Sequence, residues 1–155
     1  MNLRELYQEV IIDHSRHPRN FHENAAANHH AEGFNRLCGD KLTLFLKIEN
    51  DIIQDASFIG AGCAISTASA SLMTEFLKGK TEAQAKEMFE NFHQMLTLEN
   101  PPASINDQLG KLTVLTGVRE FPSRVKCATL AWHTLQAALT NKVQPVSTEE
   151  DLIEP

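Results

Sequence analysis

Gly60-Ala61-Gly62-Cys63-Ala64-Ile65-Ser66 is where the chain changes character. Before it, apolar residues alternate with polar ones. After it, Ile65, Ala68, Leu72 and Phe76 recur at helical spacing, and Gly79 offers a stop. The stretch reads as a strand end turning into a helix, with Gly60 and Gly62 supplying backbone angles that a side chain would forbid. Cys63 falls at the helix entrance. Free N–H groups and the helix dipole there favour a thiolate, the form that binds metal and attacks electrophiles. A small, buried, apolar cysteine is the plainer reading. Against it stands the placement of Cys38 and Cys127, which also fall at the ends of expected elements.

Upstream, Lys41 to Asn50 alternates, with Leu42, Leu44, Leu46 and Ile48 on one face, as in a half-buried antiparallel strand. Ile52, Ala56 and Phe58 continue that face on a second strand. A two-residue turn at Asn50-Asp51 would set Leu46 against Asp55 and bury a charge. A three-residue loop, Glu49 to Asp51, instead pairs Ile48 with Ile52, Leu44 with Ala56 and Leu42 with Phe58. That is the expected register, with Asn50 or Asp51 in the left-handed region. Ala31 to Leu37 is expected as a third strand leading into Cys38.

Leu3, Leu6, Tyr7, Val10 and Ile11 mark an opening helix, with Asn2 and Glu5 as a capping pair and Pro18 as its stop. His14, His17, His22, His29 and His30 follow one another closely. No regular i, i+4 pair on a helix supports a metal cluster, so the segment reads as a solvated connection. Thr81 and Gln84 form a capping-box pattern ahead of Ala85, Met88, Phe89, Phe92 and Leu96. Pro101-Pro102 breaks the chain, a short helix is expected within 107–117, and Pro122 opens the last helix, with Cys127 in its first or second turn. Strands and helices are segregated. The fold class is therefore α+β: a small three-stranded antiparallel sheet with helices packed on one face. Residues 1–141 read as a single domain and 142–155 as a polar, acidic, mobile tail.

A formal net charge of −6 gives nucleic-acid binding no electrostatic support. No apolar run approaches the length of a membrane span, and the opening residues hold no signal-peptide core. Three widely spaced cysteines argue against a disulfide framework. A reduced, cytoplasmic setting is expected.

Cys38, Asp40, Cys63 and Cys127 are the residues that could carry chemistry. In Cys38-Gly39-Asp40 two potential ligands stand two apart, on one face of an extended chain that Gly39 lets bend. Three sulfurs and a carboxylate could surround Zn²⁺, and thiolates also suit iron–sulfur clusters. Spacing alone matches no generic zinc-finger pattern.

The motifs themselves are more specific. Leu6-Tyr7, Asp13-His14 and Pro18-Arg19-Asn20 resemble the opening of the U-type iron–sulfur assembly proteins, the group of IscU, SufU and the NifU N-terminal domain. Cys38-Gly39-Asp40, then Gly60 to Ser66 with Ala68-Ser69-Ala70-Ser71, then Arg124-Val125-Lys126-Cys127-Ala128 resemble that family's three ligand motifs, in order. Lys126 stands where IscU-like members carry histidine, and the stretch around Thr97 to Gly110 is extra, two features similar to the SufU branch. The resemblance implies a SufE/NifU-like α+β fold. It also implies zinc held by Cys38, Asp40, Cys63 and Cys127, and sulfur taken from a SufS-type cysteine desulfurase. Arg124 reads either as a solvated helix-start residue or, with Lys126, as a docking residue for that enzyme. Lys126 beside Cys127 would also favour the thiolate.

Three functions fit these residues. One is a zinc-dependent sulfur acceptor that passes sulfur to apo iron–sulfur proteins or a scaffold. The second is itself a scaffold for a transient [2Fe–2S] cluster, and the third is a zinc-stabilised interaction module without sulfur chemistry. A thiol hydrolase lacks a His–Asn/Asp partner set around any one cysteine. For sulfur transfer, Cys38 is the expected acceptor. It sits on a loop beside Gly39, whereas Cys63 and Cys127 are anchored at helix starts, and the SufU resemblance implies the same choice.

Overall fold

The computed structural model describes residues 2–141 and 146–147. Helix α1 (Leu3–Arg16) starts at Asn2, whose side chain accepts the Glu5 N–H. Three strands follow: β1 (His29–Asn35), β2 (Asp40–Glu49) and β3 (Ile52–Ala61). Helices α2 (Ala64–Leu77), α3 (Glu82–Thr97) and α4 (Ala103–Leu109), a 3-10 segment (Gly110–Glu120) and helix α5 (Pro122–Leu139) complete the order before a two-residue strand β4 (Val146–Ser147). Thr81 and Gln84 make the expected capping box of α3.

The three antiparallel strands carry helices on one face, an α+β arrangement. The sheet runs β3-β2-β1-β4, with β4 parallel to β1. Val146 and Ser147 thus join the sheet edge, and the rest of the expected tail lies outside the described residues. Along β2 every second side chain is buried, from Asp40 through Leu42, Leu44, Leu46 and Ile48. Each such leucine contributes about 1.5–3 kcal/mol by leaving water. Helices α2 and α5 cover this face and pack against each other, and α1 lies against α2. Trp132 of α5 stacks on Phe92 of α3 at 4.6 Å in the centre of the core.

The hairpin register differs from expectation. Glu49 pairs with Ile52, so the turn has two residues, and Asn50 and Asp51 both take positive φ (54° and 65°). That is the turn whose twist matches the flanking strands. The feared burial of Asp55 is avoided by a register shift: Ile48 pairs with Ile53 but Lys47 with Asp55, leaving Gln54 as the extra residue. Beyond the bulge Leu46 faces Ala56 and Leu44 faces Phe58.

Two other expectations change. The short helix forms earlier, at Ala103–Leu109, and the chain continues as the 3-10 segment up to Glu120. His14 is not part of a solvated connection: it is fully buried, with Nδ1 2.7 Å from Ser71 Oγ. His29 and His30 belong to β1. No helix among the described residues is long and apolar enough to cross a membrane.

Candidate metal centre

Strand β1 ends at Asn35, and residues 36–39 turn the chain into β2, with Gly39 at φ 70°, a value that favours glycine. This turn carries Cys38 on the surface. Asp40 follows as the first residue of β2 and is 1 % exposed. Strand β3 returns beside it and hands over to α2 through Gly62 and Cys63. Here the glycines serve close approach: a Cβ at 60 would meet the Lys41 carbonyl oxygen at 2.2 Å, and one at 62 would stand 2.6 Å from Asp40 Oδ1. The freed space admits the Asp40 carboxylate, whose Oδ1 accepts the Cys63 N–H at 2.7 Å.

Cys63 caps α2, its sulfur accepting the Ser66 N–H at 3.5 Å. Cys127, in the second turn of α5, is 2 % exposed and points into the same corner. Helices α2 and α5 are fixed there by Ser69, whose hydroxyl donates to the Ala128 carbonyl (2.6 Å) and accepts from the Trp132 indole (3.2 Å).

Ligand-type atoms of Cys38, Asp40 and Cys127 lie within 4.8 Å of one another. Cys127 Sγ and Cys38 Sγ are 2.9 Å apart as free thiols, well beyond the roughly 2.05 Å of a disulfide. Cys63 stands just outside this trio but touches its carboxylate edge, with Sγ 3.8 Å from Asp40 Oδ2. Three thiols and one carboxylate are a donor set that zinc accepts. The histidine-rich stretch forms no such group among the described residues.

Helix starts do not by themselves make these thiols acidic. Burial pushes the Cys63 thiol pKa up, outweighing the Ser66 N–H that favours the thiolate, and Asp40 raises it further. Cys127 is driven up more strongly, first by burial and then by its contacts with Cys38 and Asp40. A bound cation would reverse this, because its charge holds coordinating thiols deprotonated.

Of the expected docking residues, Arg124 is exposed and lays its guanidinium over the Phe121 ring at 4.4 Å. It lines an open groove of about 820 Å³ between α1 and the 3-10 segment, with Leu3, Ile11, Ile65 and Arg4 among its walls. Lys126 is half-buried one residue before Cys127. Asn35 was not singled out from sequence, although it is wholly buried with Nδ2 3.6 Å from Cys127 Sγ. The available signal was a polar residue on the inward register of β1, two positions from Gly33 and four from Ala31.

A sheet whose turns and helix starts bring three cysteines and one aspartate to a single corner defines a class. Residues 6–128 match the NifU-like N-terminal domain, and the chain belongs to that family of iron–sulfur cluster assembly proteins. Within it, the chain is 40% identical over 144 residues to the zinc-dependent sulfurtransferase SufU of Bacillus subtilis (strain 168), covering 91% of this chain and 94% of that protein. It is 39% identical over 137 residues to the iron–sulfur cluster assembly scaffold protein IscU of Streptococcus pyogenes serotype M1, covering 88% and 84%. Among solved structures, a SUF-system assembly scaffold protein from Fervidobacterium islandicum AW-1 superposes with a TM-score of 0.80 at 36% identity, covering 89% of this chain and 99% of that one. The names divide between sulfur transfer and scaffolding.

Proposed function

We propose that this chain is a zinc-containing sulfur acceptor of iron–sulfur cluster assembly, loaded in the cytoplasm by a SufS-type cysteine desulfurase. It then passes sulfur to apo iron–sulfur proteins or a scaffold. The observation that carries this reading is the unequal exposure of the thiols: Cys38 is on the surface, Cys63 is intermediate and Cys127 is buried. Cys38, Asp40, Cys63 and Cys127 would hold the zinc, whose charge supplies deprotonated thiols. Cys63 and Cys127 are built into helices and Asp40 into a strand, whereas Cys38 rides on a glycine turn and can move at the least structural cost.

In the transfer, the Cys38 thiolate attacks the outer sulfur of the desulfurase persulfide. A bond forms between Cys38 Sγ and that sulfur, the desulfurase S–S bond breaks, and the electron pair leaves on the desulfurase thiolate. No external oxidant or reductant is needed. Arg124 and Lys126 face the docking enzyme in this reading. Arg4 and Arg124 on an otherwise acidic protein fit a partner surface that combines apolar anchors with carboxylates.

The test is to add substoichiometric protein to a SufS-type desulfurase with cysteine. Multiple-turnover stimulation that disappears on zinc removal supports the reading, and zinc-loaded protein without effect contradicts it. Similarity to IscU relatives favours a second reading, a scaffold on which a [2Fe–2S] cluster is assembled as cargo. Visible absorption after anaerobic addition of iron and sulfide, followed by transfer to an apo-acceptor, would favour it.

A further inference from the structure

We propose that Asn35 is a positioning residue that locks Cys127 into the metal site through a side-chain N–H···S bond, leaving Cys38 as the exchangeable ligand. This rests on the zinc-site reading above.

Asn35 is the last residue of β1, paired in register with Asp40, and is wholly buried. Its Nδ2 points at Cys127 Sγ at 3.6 Å, while Oδ1 has no hydrogen-bond partner among the described residues. A buried amide with an orphaned oxygen is a poor choice for filling space, since an apolar residue of the same size would avoid the desolvation cost. The arrangement makes sense if the amide is there for its other end. A metal-bound thiolate is a charged acceptor, and an N–H aimed at it is a charge-assisted bond that fixes its direction. Cys127 then has two restraints, helix α5 and Asn35. Cys38 sits on the exposed turn between β1 and β2, built into neither a helix nor a strand.

The test uses zinc alone, so it stands apart from any desulfurase. In the wild-type chain, the Asn35 side-chain amide protons are followed by heteronuclear NMR during zinc titration. A downfield shift that saturates with one zinc is expected, and an amide signal indifferent to bound zinc overturns the assignment. Asn35→Leu fills the same space without a donor and without adding a ligand. This variant, folded by circular dichroism, should bind zinc about 10–100-fold more weakly in chelator competition. The cobalt-substituted form should also show displaced sulfur-to-metal charge-transfer bands. Wild-type affinity with unchanged bands contradicts the proposal. A wild-type chain that takes up no zinc would instead sink the zinc reading itself.

Discussion

Asp40 grips Cys63 through its backbone: Oδ1 accepts the Cys63 N–H at 2.7 Å, and Oδ2 stands 3.8 Å from the Cys63 sulfur. One carboxylate therefore sets where helix α2 begins and faces the thiol cluster. The space it occupies exists only because residue 62 has no side chain.

Gly62→Ala should disturb the site without touching a ligand. Its Cβ would stand 2.6 Å from Oδ1 of the buried Asp40, so the carboxylate must shift. Zinc affinity should fall about 10–100-fold, as for loss of an orienting neighbour. Chelator competition reads this directly, and wild-type affinity would mean that Asp40 is not held where the structure has it.

Ser69→Ala should cost stability. It leaves the buried Trp132 indole N–H without its acceptor and cuts the tie from α2 to the Ala128 carbonyl. The expected loss is about 1–3 kcal/mol in urea unfolding. An unchanged midpoint would show that the helices dock without this bridge.

His14 should make stability fall in mild acid. Ser71 Oγ accepts the Arg19 N–H at 2.8 Å and lies 2.7 Å from His14 Nδ1, so the ring is hydrogen-bonded inside the core. Burial, then the nearby Arg19 and Lys111 charges, lower the His14 pKa, against the weaker pull of Glu75 and Asp13. The unfolded chain thus binds more protons than the folded one below about pH 6.5, and stability rises with pH through that window. The contribution is complete above about 6.5 and is lost as pH falls toward the lowered folded value. His14→Gln, which keeps a hydrogen-bonding partner for Ser71, should lose this slope. Parallel slopes for the two proteins in urea titrations would contradict the assignment.

Arg124→Glu should weaken coupling to the desulfurase. The guanidinium is exposed and stacks on Phe121 at the edge of the groove, and Arg124 is not among the ligand-type residues of the site. Zinc content should stay at the wild-type level while the protein concentration for half-maximal stimulation rises about tenfold. Unchanged stimulation would place the enzyme elsewhere on the surface.

The alternation of β2, the Cys63 junction and the Thr81 cap could be read from sequence because each is decided by neighbours a few residues apart. The hairpin register could not, because a bulge at Gln54 restores the phase that the two-residue turn alone would have broken. His14 read as solvated because its partner Ser71 lies on another helix. At the site, the cysteine motifs pointed to one corner, but the direction of the thiol pKa shifts depends on burial that no motif states. Asn35 escaped notice for the same reason: its meaning comes from Cys127, 92 residues further on.

The most direct measurement maps the transferred sulfur. The zinc-loaded protein is mixed with a SufS-type desulfurase and cysteine, digested without reductant, and each cysteine is examined by mass spectrometry. Persulfide on Cys38, with no acceptance by a zinc-retaining Cys38→Ala variant, is the predicted result. Persulfide mainly on Cys127, or full acceptance by Cys38→Ala with zinc still bound, would contradict the account.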